Sequence, residues 1–247
     1  TIVDGRVYFG SEDNKTYCLD ALTGAFVWSY TTGGDVGFSS PAVVDGRVYV
    51  GSGDQKLHCL SSSTGTEIWS YTTGEDVMSS PAVVDGRVYV GGLDNKTYFF
   101  DALTGVNIWS YTTGGPVFSS PAVADGRVYV GSDDRKVYCL DALTGVNIWT
   151  YTTGYIVYSS PAVADGKVYV GSYDHNVYAL DAATGAKIWN YTTGHWVCSS
   201  PAVVDGRVYV GSFDDKLYCL NASTGAYLWS YLTGGYVFSS PAVAGDK

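Results

Sequence analysis

SSPAVADGRVYVGSDDRKVYCLDALTGVNIWTYTTG, residues 119–154, is the stretch whose reading decides the fold. Its turn signals cut it into four short apolar runs. The first run is Ser119 to Ala124. Asp125-Gly126 follows, a pair in which both central positions of a two-residue turn can take positive φ. The second run is Arg127 to Ser132 and the third Lys136 to Asp141, joined by an Asp-containing turn. Leu143-Thr144-Gly145 then turns the chain into Val146 to Tyr151. Each run is about six residues long, the usual length of a strand. The apolar residues are nearly continuous rather than alternating, the pattern of strands buried on both faces.

The stretch recurs along the chain. Asp-Gly-Arg/Lys-Val-Tyr begins at Asp4, Asp45, Asp85, Asp125, Asp165 and Asp205, and a tryptophan falls at Trp28, Trp69, Trp109, Trp149, Trp189 and Trp229. The steps are 41 and then 40 throughout, the extra residue being a glycine near Gly37. A four-stranded antiparallel sheet with two buried faces must lie between two similar sheets, and radial repetition provides this. The predicted fold is therefore all-β, a single six-bladed β-propeller domain of four-stranded antiparallel blades. Ser239 to Ala244 repeats a first strand with no second strand after it. That C-terminal segment is expected to join the first blade and close the ring, in competition with Ile2 and Val3 for the same slot.

Composition agrees and excludes several classes. The 247 residues hold 31 glycines, and no glycine-free run exceeds 13, so no transmembrane helix of about 20 apolar residues fits. The net charge is −10, which argues against nucleic acid as a partner and against attraction to anionic membranes. The opening TIVDGRVYFG has no charged segment followed by an apolar core, so it does not read as a signal peptide. Low charge with abundant Thr and Tyr points to an extracytoplasmic or cell-surface location.

Ala179-Leu180-Asp181-Ala182-Ala183-Thr184-Gly185-Ala186-Lys187-Ile188-Trp189 resembles the tryptophan-docking motif of quinoprotein-type propellers, Ala-x-Asp-x-x-Thr-Gly-x-x-x-Trp. The stretch Leu140 to Trp149 matches it too, with Cys139 in place of the leading Ala, and all six units keep Thr-Gly-x-x-x-Trp. The Asp becomes Ser61 in the second unit and Asn221 in the sixth. The resemblance implies that each Trp docks on the neighbouring blade, and an indole buries a large area while still placing an N–H. It also implies a family that includes dehydrogenases using pyrroloquinoline quinone, which hold the quinone with a vicinal cysteine pair, a stacking Trp and carboxylates around Ca²⁺. This chain has no Cys-Cys dipeptide. No catalytic residue, no metal site and no cofactor are expected.

Comparison of the six units with one another locates function. The Asp-Gly and Thr-Gly turns are nearly invariant, whereas the second-to-third turns and the connections between units vary in charge, size and polarity. An invariant Asp in the varying turn (Asp174 in unit five) reads as an Asx turn. Aromatic and histidine residues gather in units four to six as Tyr155, Tyr158, Tyr173, His175, His195, Trp196, Phe213 and Tyr236. Acidic residues gather in units one and two, among them Asp35, Glu75 and Asp76. An aromatic half facing an acidic half suits a small molecule, a glycan or a peptide. His175, His195 and Cys198 lack the tight spacing of zinc ligands, and His58, in a strand position usually held by Tyr, reads as packed. Cys18, Cys59, Cys139 and Cys219 share one column with Phe99 and Ala179, so they read as buried free thiols. The expected protein is a monomeric, non-catalytic propeller with one binding face. The alternatives are a quinoprotein-like enzyme or cofactor carrier, and a recently amplified or engineered scaffold without a ligand.

Overall fold

The structure, a computed structural model, describes residues 1–243. It contains six sheets, each of four antiparallel strands in sequential order. These are the blades of a six-bladed β-propeller, and no described residue is helical. The chain divides into two compact units, residues 1–121 and 122–247. The first holds blade 1 (residues 2–31), blade 2 (42–72) and blade 3 (82–112). The second holds blade 4 (122–152), blade 5 (162–192) and blade 6 (202–232).

Blade 5 illustrates the local rules. Its strands are Ala162–Ala164, Lys167–Gly171, Asn176–Asp181 and Lys187–Thr192. Asp165 and Gly166 both have positive φ, 50° and 69°, as a two-residue hairpin with primed-turn geometry requires. The first strand is shorter than its apolar run suggests, because the Ser-Ser-Pro before it is spent on the neighbouring blade. Ser160 N–H donates to the Ser200 hydroxyl at 3.0 Å, and Ser40 to Ser80 and Ser80 to Ser120 repeat the link in the first unit. Between the third and fourth strands the register slips by one residue in every blade. In blade 5, Ala179 pairs with Trp189 and Leu180 with Lys187, leaving Ile188 as the bulge residue.

The core lies between blades rather than within them. Tyr129, Val137, Cys139 and Trp149 of blade 4 pack with Val168, Val170, Tyr178, Leu180 and Ala182 of blade 5. Residues of opposite parity on blade 5, Tyr169, Val177, Ala179 and Trp189, pack with blade 6. Alternate side chains of one strand thus enter two different cores, which explains the unbroken apolar runs.

The contested slot in blade 1 is filled by Ile2–Val3, with Ile2 opposite Val7 and Val3 opposite Arg6. The Thr1 ammonium adds a bond to the Tyr8 carbonyl at 3.0 Å. The expectation that the C-terminal strand takes this place is corrected: residues 239–243 form no strand, and Ala244 lies outside the described residues. The reason is loop entropy. Ile2–Val3 reaches its partner through the two-residue turn Asp4-Gly5, whereas the C-terminal segment would have to close a loop of nearly the whole chain.

Candidate functional site

The varying turns are held rigidly by their invariant Asp. In blade 5, Asp174 Oδ1 accepts the Asn176 N–H at 3.0 Å, the Asx turn expected. Its Oδ2 does more, accepting the Tyr178 hydroxyl and, across the blade boundary, the Gly154 N–H, each at 2.6 Å. Asp54, Asp94 and Asp214 accept the equivalent N–H groups of Gly33, Gly74 and Gly194. The carboxylate is therefore a clip between blades as well as a turn former. A second clip is made by the backbone, Tyr173 N–H to the Ile156 carbonyl at 3.0 Å and Phe213 N–H to the Trp196 carbonyl at 2.9 Å. Residues read as separate varying columns are thereby brought into register on a stiff framework.

Seven of the eight aromatic and histidine candidates, joined by Phe238, form one continuous ladder in the second unit. Tyr173 stacks on Trp196 with centroids 4.8 Å apart and planes 12° apart. Phe213 stacks on Tyr236 at 4.8 Å and 2°. Trp196 and Phe213 lie 6.0 Å apart and connect the two stacks. Tyr158 sits 6.1 Å from both Tyr173 and Phe238. His195 meets the edge of Trp196 at 5.0 Å and stacks on His175 at 5.4 Å. Mutual stacking removes only part of these rings from water: Trp196, Tyr236 and Phe238 are exposed. Tyr155, 50% exposed, stands outside the ladder, its carbonyl accepting the Thr153 and Ser172 hydroxyls.

One carboxylate acts electrostatically on two rings of the ladder, Tyr158 and Tyr173. Asp133, in the varying turn of blade 4, has a buried Oδ1 without a hydrogen-bond partner among the described residues. Burial, and then the neighbouring Asp134, raise its pKa above the ordinary value. Burial raises Tyr158, with Asp133 and Cys198 adding to the effect. Burial likewise raises Tyr173, assisted by its hydrogen bond with Cys198. The Cys198 thiol is itself pushed up to about 11 by burial. These phenols and the thiol are neutral hydrogen-bonding groups near pH 7, set against an underused acceptor.

The acidic candidates lie in the first unit. Asp35 is half-buried, and its Oδ1 accepts the Gly37 N–H at 2.5 Å. Glu75 is exposed and Asp76 half-buried, with the Asp76 carbonyl accepting the Leu93 N–H. Among the described residues no group of three or more His, Cys, Asp or Glu could hold a metal ion.

Sequence reading missed what surrounds His58. Its Nε2 lies 3.1 Å from Asp54 Oδ2 and its Nδ1 2.8 Å from Glu67 Oε2, which also accepts the Tyr30 hydroxyl at 2.7 Å. The signal was present: blade 2 alone has His where the other blades have Tyr, and it alone has Glu at position 67 of the matching fourth strand. A depression of about 420 Å³ lies between blades 2 and 3, lined by Asp45, Arg47, Asp85 and Asp101 among others.

Four-stranded meander blades, with tryptophans docked on the next blade within each unit, define a quinoprotein-type repeat propeller. The chain belongs to the family described as outer membrane protein assembly factor BamB, which matches residues 32–121, 112–200 and 193–247. Among solved structures it is similar to BamB from Moraxella catarrhalis, with a TM-score of 0.85 and 22% identity over 97% of this chain and 74% of that one. It is also similar to the computationally designed Ika8 protein, with a TM-score of 0.86 and 20% identity over 100% of this chain and 77% of that one. No curated protein matches the chain.

Proposed function

We propose that the chain is a non-catalytic binding propeller whose blades 4 to 6 receive a partner on the aromatic ladder. The observation that carries this reading is the ladder itself, eight rings in mutual contact with Trp196, Tyr236 and Phe238 left open to solvent. Soluble proteins seldom expose contiguous apolar surface without a use for it, and exposed Trp and Tyr on a rigid frame dominate binding surfaces. Rings held by stacking lose little freedom when a partner arrives, so less of the contact energy goes to ordering them. The family description, an outer membrane protein assembly factor, favours a polypeptide segment as the partner and an extracytoplasmic setting. Glycans use the same flat faces and are the next class to test.

The test uses immobilised extended peptides of varied sequence and, in parallel, a glycan array, probed with the wild-type chain and with the double variant Trp196→Ala, Tyr236→Ala. Signals on peptides that disappear in the variant support the reading. Unchanged signals remove the ladder from it, and signals confined to glycans reassign the partner.

A second reading, a scaffold without a ligand, draws on the near-identity of the repeats and the likeness to a designed propeller. It expects no signal on either array. A quinone-binding reading expects pyrroloquinoline quinone with Ca²⁺ to raise the melting temperature.

A further inference from the structure

Asp133 opens the varying turn of blade 4, at the position held by Tyr173 in blade 5 and Phe213 in blade 6. The backbone fixes where it sits. The Ser132 carbonyl accepts the Val157 N–H at 3.1 Å, so Asp133 and Tyr158 each follow directly from a member of that bonded pair. Blade 2 has the same bond, Val77 N–H to the Ser52 carbonyl, and shows which way a side chain points from this position. A Cβ on Gly53 would lie 3.7 Å from the Met78 methyl. Gly53 is the counterpart of Asp133, and Met78 that of Tyr158. The same direction in blade 4 aims Asp133 at Tyr158, which lies 6.1 Å from Tyr173, itself stacked on Trp196. The electrostatic effect of Asp133 on both phenols agrees with this placement.

The acid lacks a counter-ion. Its Oδ1 is buried and accepts no hydrogen bond, and no described Lys, Arg or His forms an ion pair with it. Lys136, three residues on, pairs with Asp134 instead, at 4.0 Å. An open acceptor on a shielded carboxylate costs free energy that an arriving donor recovers. The residue as a whole is half-buried, so it is reachable from solvent. The rings beside it present π faces that are negative at the centre and attract the same sign of partner as the carboxylate does. Only the fourth unit sets an acid at this position against a tyrosine in the outgoing connection, so the arrangement is not a by-product of the repeat.

We propose that the segment received by the ladder is anchored by a cationic side chain, a lysine or arginine, held by the Asp133 carboxylate against the faces of Tyr158 and Tyr173. The inference rests on the ladder being a binding surface, as proposed above. The net charge of −10 draws a cationic segment in but does not position it. Asp133 positions it: the ammonium or guanidinium supplies the missing donor, and the rings replace part of the cation's water.

Fluorescence anisotropy tests this with dye-labelled, end-blocked extended peptides that differ only in a central lysine, norleucine or glutamate. Norleucine keeps the alkyl stem and lacks the ammonium. The titrations run in about 0.15 M salt, which screens the general negative field of the protein. Wild type is expected to bind the lysine peptide about tenfold more tightly than the norleucine peptide, the scale of a partly desolvated cation–π contact with a charge-assisted hydrogen bond. The glutamate peptide should bind least. Asp133→Asn should erase the difference between lysine and norleucine. It removes a shielded charge without changing size, so the variant should fold, and circular dichroism checks that it does. Asp125→Asn, in the Asp-Gly turn at the other end of the same strand, makes the same change in net charge in a turn that accepts Asn equally, and should keep the preference. Wild type that binds the lysine and norleucine peptides equally overturns the cationic anchor and leaves the ladder as a binding surface. So does a lysine preference that survives Asp133→Asn, or one lost to the same extent in Asp125→Asn. Wild type that binds none of the peptides overturns this inference and the binding reading together.

Discussion

The indole N–H of Trp149 donates to the Ala182 carbonyl at 3.0 Å across the boundary between blades 4 and 5. The same ring is part of the shared core of those blades. Trp149→Ala removes the burial and leaves a cavity, and should cost about 3–5 kcal/mol of stability. Trp229→Ala, at an exposed position, should cost about 1 kcal/mol or less. Urea denaturation of both variants at low protein concentration checks the difference.

Gly185 sits beneath that indole with φ at 73°, and a Cβ there would come within 2.6 Å of Trp149 ring carbons. Gly24 has φ at 70° but nothing in the way. Gly24→Ala should therefore cost only the backbone strain, about 1 kcal/mol. Gly185→Ala adds displacement of the docked ring and should cost at least about twice as much. Melting temperatures of the two variants separate strain from collision.

Asp174→Ala strips the acceptor from the Gly154 N–H, the Asn176 N–H and the Tyr178 hydroxyl together. The expected loss is about 2–4 kcal/mol, since each stranded donor costs about 1 kcal/mol or more. Amide hydrogen exchange at Gly154 should accelerate in the variant, a local readout of the broken clip.

The His58 cluster makes stability depend on acid. Burial pushes the Asp54 carboxyl up, but the Gly33 N–H and His58 outweigh it and hold the group below its ordinary value. Burial also opposes ionisation of Glu67, and hydrogen bonds from Tyr30, His58 and Ser70 more than compensate. A carboxyl whose folded pKa is lowered stabilises the fold above its unfolded pKa, and that contribution is lost as pH falls through the folded value. Stability should therefore decline on acidification below about pH 4.5, the ordinary carboxylate range. Glu67→Gln should flatten that decline, measured as denaturation midpoints across the acid range.

All five cysteines are free and buried. Burial pushes Cys59 up to about 12 and Cys139 up to about 11. Thiolate is the reactive form, so the folded protein at pH 8 should react very slowly with a disulfide reagent. Denaturant should release all five thiols at once if unfolding is cooperative.

Much of the candidate site was legible because the chain supplies its own controls. Six copies of one unit make each turn a column, and residues such as Tyr173, Trp196 and Phe213 stand out against Gly53, Asp76 and Leu93 in the same columns. What the columns could not convey was contact. Tyr173 and Trp196 are 23 positions apart in different columns, and only the backbone clips bring them to stacking distance. Tyr155 belongs to the same aromatic group in sequence yet stands apart from the ladder. Asp133 shares the varying column of Tyr173 and Phe213, but burial of one of its oxygens is a property of what surrounds it.

The sequence by itself determined the repeat, the four strands of each blade, the primed Asp-Gly turns and the docking of Trp on a neighbour. These follow from local backbone preference and from the burial of both strand faces, and a repeated unit states them six times. Tertiary structure decided which segment fills the first strand of blade 1, which rings touch, and that Asp54 and Glu67 close on His58. Those outcomes depend on loop closure and on neighbours distant in the chain, and a sequence of near-identical units assigns the same local preference to a buried Trp189 and an exposed Trp229.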